Sequence, residues 1–231
     1  YIAVRWLGTA HGTVVTGISG GLASSTAATL SFARSSKLES DPLAADTQAC
    51  GVLLAWLVMF IRVLVTVAIV YQPLLATLLL PFTAMALLTA VMAGVYYWLG
   101  SQRYVSPQHS ALKVSNPFSL VAAIKFGILF AVILLLVKLT EQYAAAEGLY
   151  LVAAVAGMTD VDAVTLSMTD YARRLPDALT VAAAGVTIAA LSNTVVKCML
   201  VFALGSRVLA NKLLIATLVI LSGGLAALFL R

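Results

Sequence analysis

Long apolar runs dominate the chain, falling at about 50–71, 74–99, 118–140, 178–204 and 208–230. Each is close to the roughly 20 residues that one helix needs to cross a bilayer, so each predicts a transmembrane helix. Two further segments, about 13–33 and 149–171, are apolar enough to enter a membrane but carry Gly, Ser, Thr and Asp at their centres. The pattern predicts an all-α, polytopic transmembrane bundle of about seven membrane segments, forming a single membrane domain over residues 1–231.

The two interrupted segments resemble each other. A shift of 136 residues lays Gly21-Leu22-Ala23-Ser24-Ser25-Thr26-Ala27-Ala28-Thr29-Leu30-Ser31 on Gly157-Met158-Thr159-Asp160-Val161-Asp162-Ala163-Val164-Thr165-Leu166-Ser167. The Gly, the Ala and the Thr-Leu-Ser triplet coincide. The same shift lays 50–71 and 74–99 roughly on 178–204 and 208–230, with Arg62 opposite Cys198 and beside Lys197. This predicts two internal repeats of about four elements, the first incomplete over 1–100 and the second over 118–231. A counterpart of the 118–140 span would end near Val4. Tyr1-Ile2-Ala3-Val4-Arg5 lacks an initiator Met and reads as the tail of an apolar helix, so an upstream segment is expected.

Whether the interrupted segments cross the membrane decides if the repeats are parallel or inverted. Positive-inside counting does not arbitrate. Full crossing puts Arg34, Lys37, Arg103, Lys113, Arg173, Arg174 and Arg231 against Arg5, Arg207 and Lys212; re-entry puts Arg5, Arg34, Lys37, Arg103, Lys113, Arg207 and Lys212 against Arg173, Arg174 and Arg231. Full crossing is favoured because each segment keeps about 20 residues with no internal Pro. Both schemes put the Glu141–Glu147 connection on the non-cytoplasmic side.

Composition narrows the function. With 62% hydrophobic and 10% charged residues and mean hydropathy +1.04, a soluble enzyme is excluded and the bilayer is the first partner. The net charge of +5 is spread one or two residues per loop, which fits lipid headgroups and not nucleic acid. Cys50 and Cys198 have no second Cys or His at ligand spacing, and Gly17-Ile18-Ser19-Gly20-Gly21 lacks a P-loop Lys. His11 and His109 are isolated, Lys125 and Lys138 can snorkel to headgroups, and no catalytic residues or cofactor are expected.

Asp160 and Asp162 carry the strongest functional signal, since a carboxylate deep in a membrane costs several kcal/mol in order of magnitude unless paired or hydrated. On a regular helix they point about 200° apart. They share a cavity only if the helix unwinds, for which Gly157-Met158-Thr159 provides a weak point; a regular helix would instead align Thr159, Asp162 and Thr165. Ser24, Ser25, Thr26 and Thr29 supply neutral oxygens at the matching positions. Together these predict binding of a hard cation or a proton relay, with Asp160 and Asp162 as the metal ligands. Arg62, Asn193 and Lys197 are the expected polar lining and counter-ions. The structural alternative is that hydroxyls and glycines are packing glue and that the charge pairs only offset their own burial.

The chain resembles the C-terminal membrane domain found in some MgtC/SapB-family proteins, catalogued as domain of unknown function four-thousand-and-ten. The resemblance runs over nearly the whole chain. It is carried by Gly20-Gly21-Leu22 with Ser24-Ser25-Thr26-Ala27 and Thr29, Ala33-Arg34, Asn116-Pro117-Phe118, Gly148-Leu149-Tyr150, Asp160-Val161-Asp162-Ala163 with Thr165-Leu166-Ser167, and Asn193-Thr194 with Lys197. Ala28 stands where another Thr would be expected, and the MgtC-like domain that normally comes first is not in the sequence. The resemblance implies a multi-pass bacterial inner-membrane protein, a label connected with magnesium, and an upstream MgtC-like domain in the full-length chain. It implies no functional residues.

Two functions compete. The first is a transporter or permease that moves a small solute or cation, magnesium, another divalent ion or a proton-coupled solute, through a cavity between the interrupted segments. The second is a non-transporting regulatory or scaffold subunit that binds a partner membrane protein through the small-residue faces at Gly94, Gly185 and Gly223-Gly224. Such faces also make a homodimer an expectation. A membrane enzyme is set aside because no nucleophile and base can be paired.

Overall fold

The computed structural model describes residues 2–38, 44–103 and 146–229, with five isolated positions between 124 and 135. Seven α-helices and a 3₁₀ turn make up the described residues: α1 (Ile2–Leu38), α2 (Ala44–Val70), α3 (Gln72–Arg103), α4 (Ala146–Gly157), α5 (Val161–Arg174), the turn Pro176–Ala178, α6 (Leu179–Leu204) and α7 (Arg207–Phe229). The span expected at 118–140 lies outside the described residues, as do Asn116-Pro117-Phe118, His109, Lys113, Arg231 and the side chain of Arg5.

Among the described residues, four helices are long and apolar enough to cross a membrane: α2, α3, α6 with its preceding turn, and α7. Their boundaries follow local chemistry. Tyr71 alone separates α2 from α3, and Pro73 takes the second position of α3, where a missing N–H costs nothing. Ser206 begins α7 by accepting from Leu209 N through its side chain (3.3 Å) and from Ala210 N through its carbonyl (3.0 Å).

Helix α1 overturns the expected full crossing of 13–33. A Cβ on Gly20 would stand 3.1 Å from Ala28 Cβ, whereas eight residues of straight helix advance about 12 Å. The helix therefore doubles back between these positions. Its first arm runs with α2, setting Gly17 on Gly51 and Gly21 on Ala55 and Val58. Its second arm runs against α2, so that Thr29 accepts from Trp56 Nε1 at 2.9 Å and Phe32 returns to Gly51. The reversal needs no Pro because glycines let α1 approach the α2 backbone: a Cβ on Gly21 would meet Ala55 Cα at 2.8 Å. Ser24 Oγ accepts from Ala27 N (3.2 Å), which caps the returning arm.

The chain divides into two compact units. The first comprises Tyr1–Met59, Met85–Pro117 and Lys197–Ser222; the second comprises Phe60–Ala84, Phe118–Val196 and Gly223–Arg231. In the first unit the open end of the α1 hairpin meets the start of α7, since Ser206 N donates to Ser36 Oγ at 2.8 Å. The start of α2 joins the same end: Lys212 Nζ donates to Asp46 Oδ1 (2.6 Å), and Gly100 of α3 lies against Thr47. Arg34 and Lys37 thus share an end with Arg207 and Lys212. The full-crossing count, which set these pairs on opposite sides, does not hold for this unit.

Candidate functional site

In the second unit, α4 and α5 are the two halves of the segment expected at 149–171, and they part at Met158–Asp160. Gly157 initiates the break. It packs so closely on α6 that a Cβ would fall 2.5 Å from Ala189 Cα, and Asn193 Nδ2 donates to the Gly157 carbonyl at 2.8 Å. That bond satisfies a carbonyl at a helix end, which in an apolar setting costs free energy when left bare. Asp160 then starts α5 in an extended conformation (φ −155°, ψ 122°), and its Oδ1 accepts from Asp162 N at 2.8 Å. Placing carboxylates at a helix N-terminus also sets negative charge against the positive end of its dipole.

The unwound backbone releases Asp160 and Asp162 from the angular separation of a regular helix. The common face of Thr159, Asp162 and Thr165 does not form. Thr159 is exposed, while Thr165 is buried and donates to Val161 O (2.8 Å). Arg62, on α2, pairs with Asp162 through Nη2 and Oδ2, and both side chains are partly exposed. Thr66 Oγ1 donates to Arg62 O at 2.9 Å. Two neighbouring carboxylates thus stand with one guanidinium paired to Asp162, an arrangement whose charge a cation or a proton can balance. Among the described residues no group of three or more His, Cys, Asp or Glu assembles. Asp160 and Asp162 would therefore need water or substrate oxygens to complete the shell of a hard cation.

Lys197 belongs to the first unit. It is 1% exposed, and its Nζ donates to Ser25 Oγ at 2.7 Å with Met59 Sδ at 2.8 Å. A hydroxyl and a thioether are thus two of its partners. Ser24 caps the returning arm of α1, Thr29 donates to Ser25 O (2.7 Å) while accepting from Trp56, and Thr26 is half-buried. Gly185, expected on a partner-binding face, packs internally on Met168.

Sequence reading missed Met59 and Trp56, which are apolar residues within an apolar run and carry no separate signal. It also missed the cluster of Asp46, Lys212 and Tyr96, where the Tyr96 hydroxyl donates to Lys212 O (3.0 Å) and the ammonium sits 5.4 Å from the ring centroid. Asp46 had a readable signal, an acid in the first turn of a helix.

Residues 1–205 match the family described as Domain of unknown function (DUF4010). An uncharacterized protein of Aquifex aeolicus (strain VF5) is 29% identical over 197 residues, covering 84% of this chain and 83% of that protein. No solved structure matches the chain.

Proposed function

The chain belongs to the DUF4010 family, and from that premise we propose that it is a membrane transporter or permease whose polar site lies at the α4–α5 break. The observation that carries this reading is the broken helix itself, with Asp160 and Asp162 at the start of one half and Arg62 on one of the carboxylates. Discontinuous helices that gather charge inside apolar surroundings are a recurrent way to bind and release solutes and coupling ions. Asp160 and Asp162 bind a cation or coupling proton, Arg62 competes for Asp162, and Asn193 holds the break open. A divalent ion such as magnesium and a proton-coupled solute are the substrate classes consistent with these oxygens.

The repeat reading belongs to this proposal. The 136-residue shift sets Gly21 and Ser24 on Gly157 and Asp160, and both Ser24 Oγ and Asp160 Oδ1 accept from a nearby backbone N–H. The bacterial inner membrane, the link to MgtC/SapB proteins and a homodimer belong to it as well. The charges at the open end of the α1 hairpin, Arg34, Lys37, Arg207 and Lys212, make that end cytoplasmic under the positive-inside rule. The alternative, a non-transporting subunit docking a partner membrane protein, is favoured by Gly94, where a Cβ would meet nothing within 4 Å.

Flux in proteoliposomes across a panel of divalent cations and small amino acids, at matched pH gradients, tests the reading. Transport by wild type that is lost in folded Asp160→Asn or Asp162→Asn is the expected result. No flux for any solute, with both variants as stable as wild type, would overturn it and favour the docking subunit.

A further inference from the structure

We infer that α4 and α5 form a re-entrant hairpin, and that the stripe of Asp162, Leu166 and Asp170 along α5 is the route by which a cation reaches the Asp160–Asp162 site from the non-cytoplasmic side. The inference rests on the transporter reading above and adds to it the side of entry and Asp170 as the group that receives the cation at the mouth.

Packing on α6 sets the direction of the two helices. Gly157, the last residue of α4, lies on Ala189 and accepts from Asn193 Nδ2 through its carbonyl. Met168, two turns into α5, lies against Gly185, so α5 runs back along α6 from the level of Ala189 and Asn193. A straight continuation would carry α4 past Asn193, alongside residues 197–204. Instead α4 belongs to the compact unit that holds Phe118–Val196, whereas 197–204 belong to the other. Both helices therefore lie along the part of α6 before Lys197 and meet at the tip that carries Asp160 and Asp162. The α1 hairpin is fastened in the same manner, with Gly21 on Ala55 and Phe32 on Gly51. The open end of the α4–α5 hairpin follows the Glu141–Glu147 connection, which is non-cytoplasmic under either count of basic residues.

Exposure along α5 marks the route. Nine of its 14 residues are buried. Those left partly exposed are Asp162, Leu166 and Asp170, and only Arg173 and Arg174 of the last turn are more open. A spacing of four residues puts all three on one face. Carboxylates are costly against lipid, so this face is turned to water. Arg62 pairs with Asp162 at the tip, and Arg173 and Arg174 meet Asp170 at 3.4 and 3.1 Å at the mouth. Carboxylates thus stand at both ends of the stripe, about 12 Å apart along the helix, each beside a guanidinium that an incoming cation displaces.

Labelling of single cysteines in spheroplasts tests this without requiring transport. With Cys50 and Cys198 replaced by Ala, Gly148→Cys and Asp177→Cys report the two ends of the hairpin, Leu166→Cys the stripe, and the fully buried Val164→Cys serves as control. The probes are two impermeant thiosulfonates, one carrying a trimethylammonium and one a sulfonate, which react with the ionised thiol. Both end positions should label from outside, and Val164→Cys should not. With each rate divided by that on a small free thiol, Leu166→Cys should favour the cationic reagent about tenfold or more, and adding Asp170→Asn should reduce that preference severalfold. Thr159→Cys, exposed at the tip, should show the same preference even if Leu166→Cys fails to fold. Labelling of the two ends from opposite sides would overturn the hairpin, and equal normalised rates for the two reagents at Leu166→Cys and Thr159→Cys would overturn the route. Flux that depends on Asp160 without the charge preference refutes the route and leaves transport standing; the charge preference without flux does the reverse.

Discussion

Gly20 and Ala28, eight residues apart on one helix, lie so close that a Cβ on the glycine would be 3.1 Å from that of the alanine. This places the apex of α1 beside Ala55–Met59, near the middle of α2, and returns both arms to Gly51. The segment therefore turns back along α2, which predicts that both of its ends lie on one side of a bilayer.

Sidedness labelling checks that consequence. With Cys50 and Cys198, both buried, replaced by Ala, single cysteines are placed at Lys37 and Arg207, which are exposed. An impermeant maleimide should label both in inverted vesicles and neither in intact spheroplasts. Labelling of the two from opposite sides would refute the hairpin.

The Arg62–Asp162 pair separates stability from function. Asp162→Ala leaves the guanidinium without its carboxylate in a partly buried site, and breaking such a pair costs on the order of 3 kcal/mol. Replacing both partners with apolar residues, Arg62→Met with Asp162→Leu, should restore much of that loss, because a buried ion pair offsets little beyond its own desolvation. Denaturation in mild detergent measures the first effect. If the double variant regains stability without regaining flux, the pair serves transport; regained flux would assign it to packing alone.

Much of this was legible in the sequence, and the remainder has physical reasons for being hidden. The apolar runs of α2, α3, α6 and α7 report bilayer length directly. Unwinding near Gly157 could be anticipated because paired carboxylates and a glycine are poor occupants of a regular apolar helix. The reversal in α1 could not: the same Gly, Ser and Thr residues serve a straight helix packed closely on a neighbour, and only tertiary contact with Gly51 and Ala55 distinguishes the two. The contact of Lys197 with Ser25 was hidden for a related reason. Ser25 lies 172 residues away, and hydroxyls outside a motif do not reveal which cation they will meet.

Gly157 and Gly94 form an internal control for close packing. Gly157→Ala drives a methyl into the Ala189 backbone, and such overpacking costs about 1–3 kcal/mol. It also strains the Asn193 bond that closes α4. Gly94→Ala meets open space and should be neutral or stabilising by up to about 1 kcal/mol through helix propensity. Thermal unfolding of the two variants in one detergent makes the comparison, and equal effects would mean that α4 does not pack on α6 as closely as Ala189 indicates.

The clasp between Asp46 and Lys212 gives the last prediction, since it closes one end of the first unit. Asp46 is 4% exposed and accepts from Lys212 Nζ at 2.6 Å, while Tyr96 binds the Lys212 carbonyl and faces its ammonium. Three helices, α2, α3 and α7, thus meet through one lysine. Asp46→Ala should cost on the order of 3 kcal/mol by leaving that cation unpaired, and Lys212→Met should cost a similar amount by stranding a buried carboxylate. The double variant should lose clearly less than the sum, because neither charge is left to desolvate alone. A double-mutant cycle on thermal unfolding measures the coupling, and strictly additive losses would show that the two side chains act independently.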